Sequence, residues 1–352
     1  MRRALTLARE GWGQTAPNPM VGAVVVRDGD VVGDGFHARF GEPHAEVVAL
    51  RAAGALTRGA TLFVTLEPCR HHGKTPPCAD AVLAAGVARV VIAALDPTAQ
   101  SGGGADMLRD AGVVVETGVL GREARELNAP FFHAASGSDL PWTTLKLAVS
   151  MDTAISDERG TTSWLTGPEA RREVHHLRAG HDAIAVGVGT VLADDPQLTV
   201  RDAPPPRVPL RRVVFDRSLR TPLESVLVRT AAETPTTVVT RTTASTHARA
   251  LAKAGVHVIA APDLSHGLRA LRAEGVRSLL VEGGATIAAA VLAEKLAHRL
   301  VIFEAPVMLG PNALYAFDGA PPGVVRELEQ LPVVARKTLG RDVMTTYALE
   351  EN

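Results

Sequence analysis

The chain has 352 residues, of which 46% are hydrophobic and 21% charged, with 37 lysines and arginines against 38 aspartates and glutamates. That length exceeds what one core usually fills, so two domains are expected, and the neutral balance leaves no basic field for nucleic acid. The opening MRRALTLARE breaks into GWGQTAPNPM without the apolar core of a signal peptide, and no later apolar run reaches membrane-spanning length, so a cytoplasmic protein with no membrane partner is expected.

Strand-like VGAVVV (21–26) comes first and is followed by a helical stretch from His44. TLFVTL (61–66), helical ADAVLAAG (79–86) and strand-like ARVVIAAL (88–95) follow, and then a helix over about 104–111. VVVETGV and GREARELNAPFF complete an α/β pattern, a sheet covered by helices in three αβα layers. HAASGSDLP (133–141) interrupts this pattern with small and turn-forming residues, which places the first domain at 1–135 and the second at 140–352. The alternation resumes with TLKLAV (144–149), DAIAVGV (182–188), RRVVF (211–215), TTVVT (236–240), HVIA, SLLVE (278–282) and RLVIFE (299–304), so the second domain is also α/β. Pro204 to Pro206 mark a surface loop between two of these strands.

Two cysteines are too few for a disulfide framework, and their setting favours a metal. His44-Ala45-Glu46, Pro68-Cys69 and Cys78 supply one imidazole and two thiolates, a donor set suited to tetrahedral zinc. Three protein ligands leave the fourth position open, as in catalytic zinc sites, where water binds and its pKa falls toward neutrality. Glu46, two residues beyond His44 at a helix start, points away from the ligand direction yet reaches that position, which suits proton transfer in hydrolytic deamination. Eight residues, RHHGKTPP, separate the cysteines where many zinc deaminases have two. Recruitment of His71 or His72 as a fourth ligand would close the site into a structural one, and the His-x-Glu pattern argues against it.

These landmarks resemble the bifunctional deaminase/reductase family of riboflavin biosynthesis. The resemblance rests on PNPMVGAVVV (17–26), GDGFH (33–37), GEPHAE (41–46), EPCRHHGKTPPC (67–78), TLKLAVSMD (144–152), DAIAVGVGTVLADDPQLTVR (182–201) and VEGG (281–284). The long cysteine spacer is itself the family's form. The resemblance implies a small-molecule substrate, a phosphoribosylated diaminopyrimidinone, deaminated at zinc. It further implies a second domain similar to dihydrofolate reductase that uses NADPH to reduce the ribosyl group to ribityl.

Asn18, in a rigid Pro-Asn-Pro turn, can both donate to and accept from a heterocycle edge. By resemblance His37, His71 and Lys74 go to the polar and phosphate groups of the substrate, and His72 has no assigned role. In the second domain, Gly187-Val188-Gly189-Thr190 and Val281-Glu282-Gly283-Gly284-Ala285-Thr286 set glycines where strands meet helices, though neither is a full dinucleotide fingerprint. The resemblance assigns Ala148, Trp164, Thr190, Asp194, Gly284, Ala285 and Thr286 to the cofactor, and Thr162, Arg178, Leu198, Arg201 and Glu282 to the substrate. Guanidinium forks at Arg178 and Arg201 suit a phosphate. Lys146, inside apolar TLKLAV, needs a partner or a task. Proton delivery during hydride transfer is the task, and Asp194 or Glu282 the candidate partner. A homo-oligomer is expected. Two other readings are a nucleoside or tRNA deaminase with a non-catalytic second domain, and a non-catalytic zinc-stabilised sensor of a flavin precursor.

Overall fold

A computed structural model describes residues 1–71, 76–157, 165–319 and 331–349, and the chain divides into two units, Met1–Ser138 and Asp139–Glu351. Among the described residues no helix is long and apolar enough to cross a membrane.

In the first unit α1 (Arg2–Ala8) leads into β1 (Gly22–Arg27), β2 (Asp30–Phe36), α2 (Ala45–Ala53), β3 (Thr61–Leu66), α3 (Cys78–Ala84), β4 (Arg89–Ala94), α4 (Gly104–Asp110), β5 (Val114–Thr117), α5 (Gly121–Leu127) and α6 (Ala129–Ala135). The sheet order is β2-β1-β3-β4-β5, with β1 antiparallel to both neighbours and β3, β4 and β5 parallel. Asp28-Gly29 turns the β1–β2 hairpin with both residues at positive φ, the conformation that a tight two-residue hairpin turn requires. Gly33 and Gly35 on β2 let α2 lie close. A Cβ at Gly33 would stand 2.5 Å from the Ala49 carbonyl oxygen, and one at Gly35 would stand 2.5 Å from Val48 Cγ1. That contact fixes the start of α2, where His44 and Glu46 sit. GREARELNAPFF forms two helices rather than one, because Asn128 leaves the helical region between α5 and α6, with Pro130 in the first turn of α6.

The second unit opens with β6 (Trp142–Ser150), β7 (Ala154–Ser156), α7 (Pro168–Ala179), β8 (Ala183–Gly187), α8 (Val188–Asp194), β9 (Arg211–Phe215), α9 (Val226–Arg229) and β10 (Thr236–Thr240). It continues through α10 (Thr246–Lys253), β11 (His257–Ala260), α11 (Leu264–Ala273), β12 (Ser278–Glu282), α12 (Ala285–Ala293), β13 (Arg299–Ala305), β14 (Leu314–Tyr315), β15 (Val333–Leu339) and β16 (Asp342–Ala348). Nine of these strands form one sheet in the order β11-β10-β9-β8-β12-β6-β13-β16-β15, parallel from β11 to β13 and antiparallel at β16 and β15. The central strands are apolar on both faces, as a covered parallel sheet demands: Leu279, Leu280 and Val281 of β12 are fully buried. A charged residue in β6 or β12 is therefore conspicuous, and Lys146 and Glu282 are the two that these strands carry. They stand opposite each other in the β6–β12 register.

Candidate active sites

In the first unit three separate elements deliver the metal-type donors. His44 is the N-cap residue of α2, Cys69 follows β3, and Cys78 opens α3. His44 Nδ1 lies 3.2 Å from Cys78 Sγ and 3.7 Å from Cys69 Sγ, and the three donor atoms fall within 4.8 Å of one another. Tetrahedral zinc with ordinary bond lengths separates a nitrogen and a sulfur ligand by about 3.6 Å. The donors are therefore already spaced for the ion. Among the described residues no further His, Cys, Asp or Glu joins the group, so His71 does not close it. His72 and Lys74 lie outside the described residues.

The thiols behave as a pair sharing one proton: the hydrogen bond from Cys78, with help from His44, holds Cys69 down at about 4, while the same bond and burial push Cys78 up. The Cys78 N–H also donates to Cys69 Sγ at 3.4 Å. The bond to Cys69 raises His44 against the effect of burial. Glu46 is 3% exposed, and desolvation pushes its carboxyl up to about 7, opposed by the neighbouring His44. His71 Nδ1 is buried and has no hydrogen-bond partner among the described residues. His37, expected beside the substrate, is 2% exposed and packs edge-on against His44 with ring centroids 5.2 Å apart. Its ring nitrogens meet the Pro43 carbonyl at 3.2 Å and Asn18 Nδ2 at 3.4 Å.

Glu67 supports this site and was not singled out by sequence reasoning. Its buried carboxylate accepts from the N–H groups of Asp96 (3.0 Å), Gly103 (3.0 Å) and Ala105 (2.8 Å), tying the Cys69 segment to the start of α4. The only sequence signal was a glutamate next to Pro68-Cys69.

In the second unit a buried ion cluster spans β6, β12 and α7. Arg178 grips Glu282 through Nε to Oε1 (2.6 Å) and Nη2 to Oε2 (2.9 Å), and its Nη1 donates to the Thr199 carbonyl at 2.9 Å. Lys146 Nζ stands 3.8 Å from Glu282 Oε2. Burial alone would raise Glu282, but the charges of Arg178 and Lys146 outweigh it and hold the carboxyl at about 2. Lys146 is lowered by burial, and Glu282 pulls it back. The partner of Lys146 is thus Glu282, not Asp194, which ends α8 with an exposed side chain.

The Arg178 fork expected on phosphate is here spent on a carboxylate. One N–H on each terminal nitrogen is left over among the described residues. Arg201 is exposed, with Nη1 on Gln197 Oε1 at 2.6 Å, and its backbone N–H donates to buried His175 Nδ1 at 3.1 Å. Leu198 is buried in the same loop at φ +50°, a left-handed conformation that is costly for a bulky residue. His175 and Arg178 of α7, with Gln197 held through its carbonyl by the buried Arg212, keep that loop in place. Sequence reasoning missed His175 and Arg212, which look like ordinary helix and strand residues.

Of the residues expected at the cofactor, Ala148 sits two positions beyond Lys146 on β6, and Thr190 lies in α8 directly after β8. Gly284 is the N-cap of α12, followed by Ala285 and Thr286. A Cβ at Gly283 would stand 2.0 Å from Ile287 Cγ2, so the turn from β12 into α12 requires glycine. These residues converge at the C-terminal ends of adjacent strands β8, β12 and β6, where open α/β sheets bind ligands. Thr162 and Trp164 lie outside the described residues.

Residues 1–94 match the family model of the cytidine and deoxycytidylate deaminase zinc-binding region, and residues 141–343 match that of the RibD C-terminal domain. Fold and site together define a two-module enzyme, a zinc-type deaminase followed by a reductase. The riboflavin biosynthesis protein RibD of Aquifex aeolicus is 41% identical over 353 residues, covering 99% of this chain and 97% of that protein, and its Escherichia coli counterpart is 42% identical over 89% of this chain and 88% of its own. Among solved structures, Acinetobacter baumannii RibD superposes with a TM-score of 0.82 at 35% identity, covering 99% of this chain and 98% of that one. A deaminase/reductase of Thermotoga maritima superposes at 0.83 with 35% identity, covering 99% and 97%. The chain belongs to the RibD family of riboflavin-biosynthesis deaminase/reductases.

Proposed function

We propose that the chain performs two consecutive reactions, with the substrates named for the Thermotoga maritima neighbour: hydrolytic deamination of diaminohydroxyphosphoribosylaminopyrimidine in the first unit, then reduction of 5-amino-6-(5-phosphoribosylamino)uracil in the second. The observation that carries the reading is a buried carboxyl, Glu46, two residues from a His/Cys/Cys donor set already spaced for zinc.

His44, Cys69 and Cys78 would hold the ion. When bound, zinc lowers the pKa of a water toward neutrality and so supplies the nucleophile. Glu46 moves two protons in turn: its carboxylate takes the first from the attacking water and gives it to the ring nitrogen, then takes the second from the hydroxyl now on the carbon and gives it to the departing ammonia. Asn18 reads the heterocycle edge, and His71, whose Nδ1 is buried and unpaired among the described residues, supplies a further polar contact. Lys74 is assigned to the phosphate and His37 to the substrate side of the site by resemblance alone.

In the second unit Ala148, Thr190, Asp194 and the Gly284–Thr286 turn would hold NADPH, which when bound supplies the hydride, and Trp164 is assigned to it by resemblance alone. Lys146 Nζ delivers the accompanying proton to the opened ribose, and Glu282 keeps that ammonium charged. Arg178, Leu198, Arg201 and Thr162 bound the sugar-phosphate. We further propose that the enzyme is cytoplasmic and works as a homo-oligomer.

The test is Glu46→Gln. Ammonia release falls by about 10²-fold or more, while zinc content and NADPH oxidation with the deaminated ribosyl phosphate hold. Parent-like ammonia release would overturn the deaminase reading, and no NADPH oxidation by the parent would overturn the reductase one.

A further inference from the structure

Asn128 lies 108 positions from Met20, between α5 and α6, and is 4% exposed. Its carboxamide closes a two-bond pair with the Met20 backbone: the Met20 N–H donates to Oδ1 at 2.8 Å, and Nδ2 donates to the Met20 carbonyl at 2.8 Å. A planar amide offers one donor and one acceptor on a single edge and so matches a backbone residue as a strand would. Met20 follows Pro17-Asn18-Pro19, in which neither proline has an N–H to anchor the turn. Asn18 N–H bonds the Thr15 carbonyl at 2.9 Å on one side of that turn, and Asn128 holds it on the other.

The orientation of the Asn18 amide is also fixed. The Pro43 carbonyl can only accept, so His37 carries its proton on Nδ1 and presents Nε2 as an acceptor, toward Asn18 Nδ2 at 3.4 Å. That leaves Asn18 Oδ1 and its second N–H for a ligand edge with one donor beside one acceptor, as an aminopyrimidinone has.

We propose that Asn128 is a positioning residue of the deaminase site, acting through the Met20 backbone to hold Asn18 against the heterocycle. The inference rests on the deaminase reading above. Asn128 is not among the metal-type donors, and its bonded partner is Met20 rather than Asn18.

A double-mutant cycle on the full chain tests it, using ammonia release from the diaminopyrimidine phosphate and zinc content per chain. Asn128→Asp keeps the shape but sets a carboxylate oxygen against the Met20 carbonyl, and its KM rises about tenfold with zinc retained. Combined with Asn18→Ala it adds little, because the residue through which it acts is already gone. Additive losses in the double variant, or a parent-like KM in Asn128→Asp, overturn the proposal. If Asn128→Asp loses zinc, Asn128→Ser, which keeps a small donor and acceptor, replaces it in the cycle. Zinc loss in both variants also overturns the proposal, since Asn128 then serves the metal site and not Asn18. A parent chain that releases no ammonia refutes the deaminase reading instead, so the two failures are distinguishable.

Discussion

Replacing Glu282 by Gln removes a charge from the reductase centre while nearly preserving its shape. In the parent the carboxylate faces Lys146 at 3.8 Å and Arg178 at 2.6 and 2.9 Å. At an effective dielectric constant of about 20, unit charges 3.8 Å apart attract by roughly 4 kcal/mol. Lys146 is already lowered by burial, Glu282 pulls it back, and Arg178 lowers it further. In Glu282→Gln the pull is gone while Arg178 stays, so the ammonium loses its proton at lower pH. Each pH unit corresponds to about 1.4 kcal/mol, so the alkaline limb of the reductase kcat/KM profile moves down by about one unit or more. NADPH oxidation with the deaminated ribosyl phosphate reads this out, and ammonia release from the other unit stays unchanged as the control. An alkaline limb that stays in place, or moves up, refutes the assignment of Lys146 as proton donor held by Glu282. The stability of the second unit gives an independent reading. Glu282 titrates at about 2 in the fold against an ordinary 4.5, so its ionised form contributes about 3 kcal/mol. That contribution is fully present above pH 4.5 and is lost as the pH falls toward 2. The melting temperature of the second unit in Glu282→Gln therefore changes less across that acid range than in the parent, in differential scanning calorimetry.

At Gly104 a Cβ would stand 1.8 Å from the Pro68 carbonyl oxygen, so Gly104→Ala displaces the Cys69 segment. Zinc content and ammonia release fall together while NADPH oxidation persists, and stoichiometric zinc in an otherwise folded variant counts against this. Removing zinc with a chelator abolishes ammonia release and leaves the reductase intact, and metal analysis with re-addition restoring activity checks the assignment. Arg178→Met strands Glu282 with Lys146 alone and destabilises the second unit by about 3–5 kcal/mol, whereas exposed Arg201→Met changes stability by less than about 0.5 kcal/mol. Chemical denaturation monitored for the second unit separates the two, and equal losses refute the distinct burial of these arginines.

Those parts of the molecule were legible where residue type dictates geometry over a short span. TLFVTL is β3 and RRVVF is β9 because β-branched and apolar residues fit a covered strand. His44, Cys69 and Cys78 stood out because few roles suit a histidine and two thiols in this pattern. β2 was not legible, since Gly33 and Gly35 weaken a strand reading and are there to admit α2. The mostly exposed β15, with Arg336 and Lys337, carries no apolar alternation to reveal it. The choice between Asp194 and Glu282 as partner of Lys146 depended on the β6–β12 register, a long-range pairing that no local pattern contains. Asn128, His175 and Glu67 act through backbone groups far along the chain, and a backbone group leaves no mark in a sequence.

Both units bury a carboxyl, and the opposite outcomes bear on the proposed roles. Desolvation pushes Glu46 and Glu282 upward alike, yet the first stands at about 7 and the second at about 2. Burial does not separate them; their neighbours do. Glu282 meets two fixed cations, one of them through a two-bonded fork, whereas Glu46 meets one imidazole and a sulfur pair that carries its own negative charge. A dication held by those sulfurs would draw Glu46 downward from about 7, and the carboxyl would remain one that burial and charge pull in opposite directions. Such a group can take up and give back a proton within a turnover. Glu282 cannot serve in that way, because protonating it would leave Lys146 and Arg178 facing each other across a buried gap with no anion between them.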